Sequence, residues 1–206
     1  NPFAELEGVE LPAWDFRVEG VRTISADLHK YGYAAKGAST ILHRTEEQHA
    51  YQGFSASDWP AGAMTTPTVA GTRPGGAIAS AWAVFHYLGV DGYRERTARI
   101  LRARQKISEG LESLGLRVFG DPRLALVSFG AREGDDLSIF SVWKVLHDRG
   151  WFSGVVQNPN GIHLMLSPSH EDVADAYLAD LAVGIAIARA EANPGANEGA
   201  APTRYA

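Results

Sequence analysis

The 206-residue chain has no cysteine. Disulfides and thiolate-bound metals are therefore excluded, and nothing points to an oxidising compartment. No apolar run approaches the roughly 20 residues of a membrane-spanning helix. No signal peptide precedes the first predicted strand, so a cytoplasmic location is the default expectation. Basic clusters are also missing. The 19 Lys and Arg are outnumbered by 24 Asp and Glu, for a net charge of -5, and nucleic acid is not an expected partner. His43, His49, His86, His147, His163 and His170 are scattered without the spacing of a metal site, so no metal is expected. There is no internal repeat. The first residues, Asn1-Pro2-Phe3, lack an initiator methionine and read as the middle of a loop, which suggests a piece of a longer protein.

What is present is ordinary for a globular chain: 45% hydrophobic and 21% charged residues, enough for one large domain or two small ones. Residues 1–17 read as an acidic loop with one helical turn, its Phe3, Leu6, Trp14 and Phe16 tucked onto a core. Strands are predicted over 21–26 and 38–44. Residues 45–74 show little periodicity and read as a long loop. Pro74 and Gly89 bracket a helix over 75–88. A longer helix follows over 91–114, with Tyr93, Thr97, Ile100, Arg104, Ile107, Leu111 and Leu114 on one face. Beyond it come strands over 117–119 and 124–129, a helix over 136–149 capped by Asp136 with Ile139, Trp143 and Leu146 inward, a turn at 158–161, and a strand over 162–166. A last helix over 168–191 has Val173, Tyr177, Leu181 and Ile185 as its apolar face. From Asn193 the chain is small and polar, and a disordered tail is expected.

The chemistry gathers in Asp27-Leu28-His29-Lys30-Tyr31-Gly32-Tyr33-Ala34-Ala35-Lys36-Gly37. A lysine at the carboxyl end of a strand stands where α/β proteins hold ligands. Such a lysine can form a Schiff base with an aldehyde cofactor once its pKa is lowered. Asp27 is placed to orient His29 or to cap the turn. A second constellation, Gly71-Thr72-Arg73-Pro74-Gly75-Gly76, opens a helix and offers backbone N–H groups to an anion. Arg73 suits a phosphate, a carboxylate or a structural salt bridge.

The Lys30 string resembles the lysine motif of the pyridoxal 5′-phosphate (PLP) dependent group II decarboxylase family, within it the sphingosine-1-phosphate lyase-like branch. That branch reads Asp-Thr-His-Lys-Tyr-Gly-Phe/Tyr-Ala-Pro-Lys-Gly here and Gly-Ser-Arg-Pro-Gly-Gly at the second constellation. The resemblance runs from about Trp14 to Leu181. It implies an α/β fold, the aspartate aminotransferase-like fold type I of PLP enzymes, with a mostly parallel sheet in a large domain. Residues 1–90 would be the last part of that domain and 91–192 the small C-terminal α/β domain, with 193–206 as tail. By the same resemblance Lys30 carries PLP, His29 lies near its phosphate, and Gly71, Thr72 and Arg73 reach the phosphate of a neighbouring subunit in a homodimer. Lys36 would assist substrate binding or proton transfer. A segment before Asn1, on another chain or the same protein, would supply the groups that hold the pyridine ring.

The activity implied is carbon–carbon cleavage of a phosphorylated amino alcohol to an aldehyde and phosphoethanolamine. Amino-acid decarboxylation is one alternative, and a non-catalytic dimerisation or regulatory module is another. One departure stands out: the branch's proline before the second lysine is Ala35 here, which is expected to loosen the loop.

Overall fold

The computed structural model describes residues 2–68 and 71–192; the expected tail from Asn193 lies outside them. Contacts divide the chain into two bodies, one of residues 10–92 and one that joins 1–9 to 93–206.

In the body of residues 10–92, β1 (Thr23–Asp27) and β2 (Ser39–His43) pair antiparallel, with Ala26 opposite Thr40. A hydrogen-bonded turn containing Lys30 joins them. The stretch read as a long loop holds three short elements. Helix α2 (Glu46–Ala50) is capped by Thr45, whose hydroxyl accepts from the Gln48 N–H, and β3 (Phe54–Ala56) pairs with β4 (Met64–Thr66). Elements of three to five residues carry too few positions for a periodic signal. Helix α3 (Gly75–Ser113) begins in this body. Gly89 interrupts it at φ 55°, ψ −171°, a conformation essentially limited to glycine. The sequence reading of two helices parted at Gly89 and one assigned helix with a break there describe the same chain path.

This body has a thin core: Ala34, Ala38 and Ala81 are buried, with Leu28 and Ala77 packed against them. Large apolar side chains stay exposed instead, among them Ile41, Leu42, Phe54, Ile78 and Trp82. Trp14 is exposed as well, contrary to the expectation that it tucks inward. Phe16 lies under the Arg44 guanidinium at 5.5 Å, and Arg44 donates to the carbonyls of Phe16, Val18 and Val21.

The second body is conventionally packed. Helix α1 (Pro2–Leu6) stacks Phe3 on Tyr93, ring centroids 5.0 Å apart, while Leu6 points outward. Strands β5 (Arg117–Val118), β6 (Leu126–Gly130), β7 (Gly154–Gln157) and β8 (Asn160–Met165) form an antiparallel sheet in the order β5-β6-β8-β7. The parallel sheet of the resemblance is not built by the described residues, whose strand pairs are all antiparallel. Val127 and Phe129 pair with Leu164 and Ile162 on the buried face. Helix α4 (Ile139–Asp148) and helix α5 (His170–Ala192) complete the layer. The cap of α4 is Ser138, not Asp136; its Oγ accepts from the Ser141 N–H. The inward α4 face is Ile139, Val142 and Leu146, with Trp143 at its edge. On α5, Ala174, Tyr177, Leu181 and Ile185 are buried, whereas Val173 is exposed. Strand β7 escaped the sequence reading because its Val155-Val156 pair sits between glycine and proline turns.

Fully buried Leu111, Leu146 and Leu181 each contribute roughly 1.5–3 kcal/mol through burial. Gly184 lets α4 and α5 approach: a methyl there would lie 3.3 Å from Val142 Cγ1.

An ion-pair cluster links α3 to α5. Arg99 donates to Glu171 and Asp172, and Arg102 donates to Glu171. The hydrogen bonds from Arg102 first and Arg99 second hold the Glu171 carboxyl at about 2, below its ordinary 4.5. A depressed folded-state pKa contributes stability above the ordinary value and loses it as pH falls through the folded value. Glu171→Gln is expected to lower Tm at neutral pH and to flatten the Tm profile between about pH 5 and pH 2. Differential scanning calorimetry across that range checks both.

Candidate active site

The Lys30 turn is built by three backbone hydrogen bonds. Lys30 N–H donates to the Asp27 carbonyl, Tyr33 N–H to the Lys30 carbonyl, and Ala34 N–H to the Leu28 carbonyl. Tyr33 sits at φ 56°, rare for a residue with a side chain. Gly32 is required by space: a Cβ there would lie 2.5 Å from the Leu28 carbonyl oxygen.

Lys30 Nζ pairs with Asp27 Oδ2 at 2.9 Å, and its side chain is 60% exposed. Ser39 on β2 donates to the other oxygen of Asp27 at 2.7 Å. The bonds from Lys30, and next from Ser39, hold the Asp27 carboxyl below its usual range. Asp27 therefore orients the lysine, a partnership the sequence reading missed. The signal was there: an aspartate three residues before a lysine across a tight turn. His29 beside it is half-buried, and its Nδ1 is buried without a hydrogen-bond partner. Burial, and then neighbouring Tyr33, push the Tyr31 phenol up.

After Tyr33 the chain is held on the first turns of α3. Ala34 and Ala38 pack with Ala77 and Ala81. The Ala35 N–H donates to Ser80 Oγ at 3.3 Å. A proline could not make that bond, so the departure at Ala35 fastens the loop where loosening was expected. Gly37 has φ 107°, and a methyl there would lie 3.2 Å from Ala77 Cβ and 3.8 Å from Pro74 Cγ. The Lys30 segment thus reaches the helix that the Gly71–Gly76 loop opens. Lys36, Gly71, Thr72 and Arg73 are all exposed. The structure brings the roots of both constellations to one place, the start of α3.

These residues fit PLP. An amine paired with Asp27 follows directly on a histidine whose buried Nδ1 lacks a partner, and the loop that carries both is packed on the helix that an exposed hydroxyl and a guanidinium precede.

No protein-family model matches the chain. Curated relatives do. The sphingosine-1-phosphate lyase of Arabidopsis thaliana is 40% identical over 195 residues, 94% of this chain and 35% of that protein. Among solved structures, the Burkholderia pseudomallei sphingosine-1-phosphate lyase superposes with a TM-score of 0.85 at 33% identity, covering 95% of this chain and 44% of that one. Over most of its length the chain is homologous to sphingosine-1-phosphate lyases. It spans about a third of the length of the curated relatives it matches. The Lactobacillus brevis glutamate decarboxylase, 21% identical with a TM-score of 0.70 over 90% of this chain and 44% of that one, shares the fold alone. The fold is fold type I of the PLP-dependent enzymes.

Gly32→Ala forces a backbone shift in the turn and is expected to destabilise the body of residues 10–92 by about 1–3 kcal/mol. Hydrogen exchange of the Tyr33 and Ala34 amides should quicken; unchanged exchange would show that the turn tolerates a methyl.

Proposed function

We propose that this chain is part of a PLP-dependent carbon–carbon lyase that cleaves a phosphorylated amino alcohol to an aldehyde and phosphoethanolamine. The observation that carries the reading is the fastening of the His29-Lys30 turn to the helix opened by Gly71-Thr72-Arg73-Pro74-Gly75-Gly76.

Lys30 would hold the cofactor, and when bound PLP supplies an electron sink for the bond being broken. The chain's own residues do the rest. Asp27 aims Nζ; with its own carboxyl held low it is a poor base and acts by orientation. His29 Nδ1, buried and unpartnered, suits a phosphate oxygen. Gly71 supplies a free backbone approach, and Thr72 and Arg73 supply a hydroxyl and a fixed cation for phosphate. Lys36, six residues beyond Lys30 on the same fastened loop, would bind the substrate phosphate or move a proton.

Residues 10–92 fit the last part of a cofactor domain and 93–192 a small C-terminal domain. The exposed Ile41, Leu42, Phe54, Ile78 and Trp82 support a covering partner for the first body. We take this cover to be the remainder of the longer protein and a second copy, in a homodimer with the site at its interface. No described helix is long and apolar enough to cross a membrane, and a cytoplasmic setting is part of the proposal.

Borohydride treatment of the assembled, PLP-loaded protein followed by peptide mapping should label Lys30. Lys30→Ala should abolish both the label and the cofactor absorbance. Label on another lysine overturns the reading. Lys36→Met should lower kcat by about 10²–10⁴-fold with cofactor absorbance kept. Aldehyde release from the phosphorylated amino alcohol is expected, and carbon dioxide from a simple amino acid would favour the decarboxylase reading instead.

A further inference from the structure

Asp27 is the last residue of β1 and faces Ser39, the first of β2, across the end of their ladder. Its main-chain carbonyl accepts from the Lys30 N–H at 3.1 Å. Its Oδ2 meets Lys30 Nζ at 2.9 Å, and its Oδ1 accepts from the Ser39 hydroxyl at 2.7 Å. Lys30 is thus tied to one residue through both its backbone and its amine. That residue's carboxylate is tied in turn to the opposite strand. With Lys30 first and Ser39 second holding the carboxyl below its usual range, it is ionised at neutral pH and only accepts.

A carboxylate turns easily about its last torsion. An ion pair alone therefore fixes neither the oxygen used nor the direction of the amine. The Ser39 bond makes the choice. With Oδ1 taken by the hydroxyl, Oδ2 is the oxygen presented to Nζ. A hydroxyl bonded to an ionised acceptor makes a stronger bond than a neutral pair, and its length suits that class.

Ser39 is itself held on both sides. Thr40 beside it donates to the Ala26 carbonyl at 3.3 Å, a second hydroxyl bond across the same ladder end. Ala38 before it is buried with Ala34 and Ala81, against Ala77 of α3. The place of the hydroxyl is thus set by the packing of the loop on α3, and it is passed on through Asp27 to the amine.

We propose that Ser39 is a positioning residue for Lys30: its hydroxyl fixes the Asp27 carboxylate, and the carboxylate docks the free ammonium in one place. The bearing on catalysis rests on the reading of Lys30 as the cofactor lysine. An amine that leaves and re-engages from a fixed post is spared a search among rotamers.

The first test needs no cofactor. The assembled protein free of PLP is treated with trace acetic anhydride, which acylates neutral amines, and its lysine peptides are mapped. An ammonium held by a fixed carboxylate resists the reagent. Ser39→Ala should raise acetylation of Lys30 relative to Lys144 by about 2–5-fold, the scale of a partly exposed ion pair. Ser39→Thr keeps the hydroxyl and should restore the wild-type ratio. Asp27→Asn should raise the ratio at least as much, and adding Ser39→Ala to it should change nothing more, because the serine acts through the carboxylate. In the PLP-loaded protein, Ser39→Ala should lower kcat by about 2–5-fold with KM held, a sign opposite to that of the acetylation. A role confined to holding the strands together would lower Tm and leave the Lys30 to Lys144 ratio alone. An unchanged ratio, an unchanged kcat, or additive effects of the two substitutions overturn the proposal. Borohydride label on another lysine would overturn the lyase reading, and the acetylation ratio would still decide for or against Ser39.

Discussion

The candidate site depends on how closely one loop can approach one helix. Ala34 and Ala38 from the loop meet Ala77 and Ala81 from α3, and Gly37 presents no side chain at all where Ala77 and Pro74 come nearest. Small groups at this seam let two backbones close to a distance that larger side chains would hold open. The candidate cofactor residues stand at its two ends. Lys30 and His29 lie just before the seam on the loop, and Thr72 and Arg73 lie just before it on the helix. A substitution that widens the seam would separate the two sets without touching either. The Ala35 to Ser80 bond adds a polar stitch along the same line, supplied by the residue that departs from the branch's pattern.

The two bodies are stabilised in different ways. The body of 1–9 and 93–206 has a layered core in which sheet and helices bury Phe129, Ile107, Leu111, Leu146, Ile162 and Leu181 completely. The body of 10–92 relies on hydrogen-bonded turns, the Arg44 clasp and a few alanines. That contrast suits the division of roles proposed above. A site that must accept a cofactor and substrate needs exposed cations and open loops, whereas the neighbouring scaffold needs only to fold.

The sequence carried the chemistry more clearly than the local structure. The His29-Lys30 string and the Gly71–Gly76 loop are read from residue identity, since an amine, a hydroxyl and glycines in fixed order are themselves the signal. The long helical face from Tyr93 to Leu111 is legible because its period is sustained over several turns. Elements α2, β3, β4 and β7 were not, being too short to show a period or set between turn residues. Ser138 took the cap from Asp136 because the chain turns two residues later than the apolar pattern suggests. The Asp27 to Lys30 pair and the Ala35 to Ser80 bond were hidden for different reasons. The first required knowing the turn's geometry, and the second joins residues 45 positions apart.

The sparse interior of residues 10–92 bears on the life of the chain as well as on its shape. Segments with few buried apolar groups open locally at low free energy, and their amides exchange with solvent early. Whatever binds the closed form draws that equilibrium toward it by mass action. On the proposed function, a ligand bound at the lysine turn or a neighbour seated on it would add to the turn's own hydrogen bonds, and a copy lacking both would offer this stretch first to proteases and chaperones.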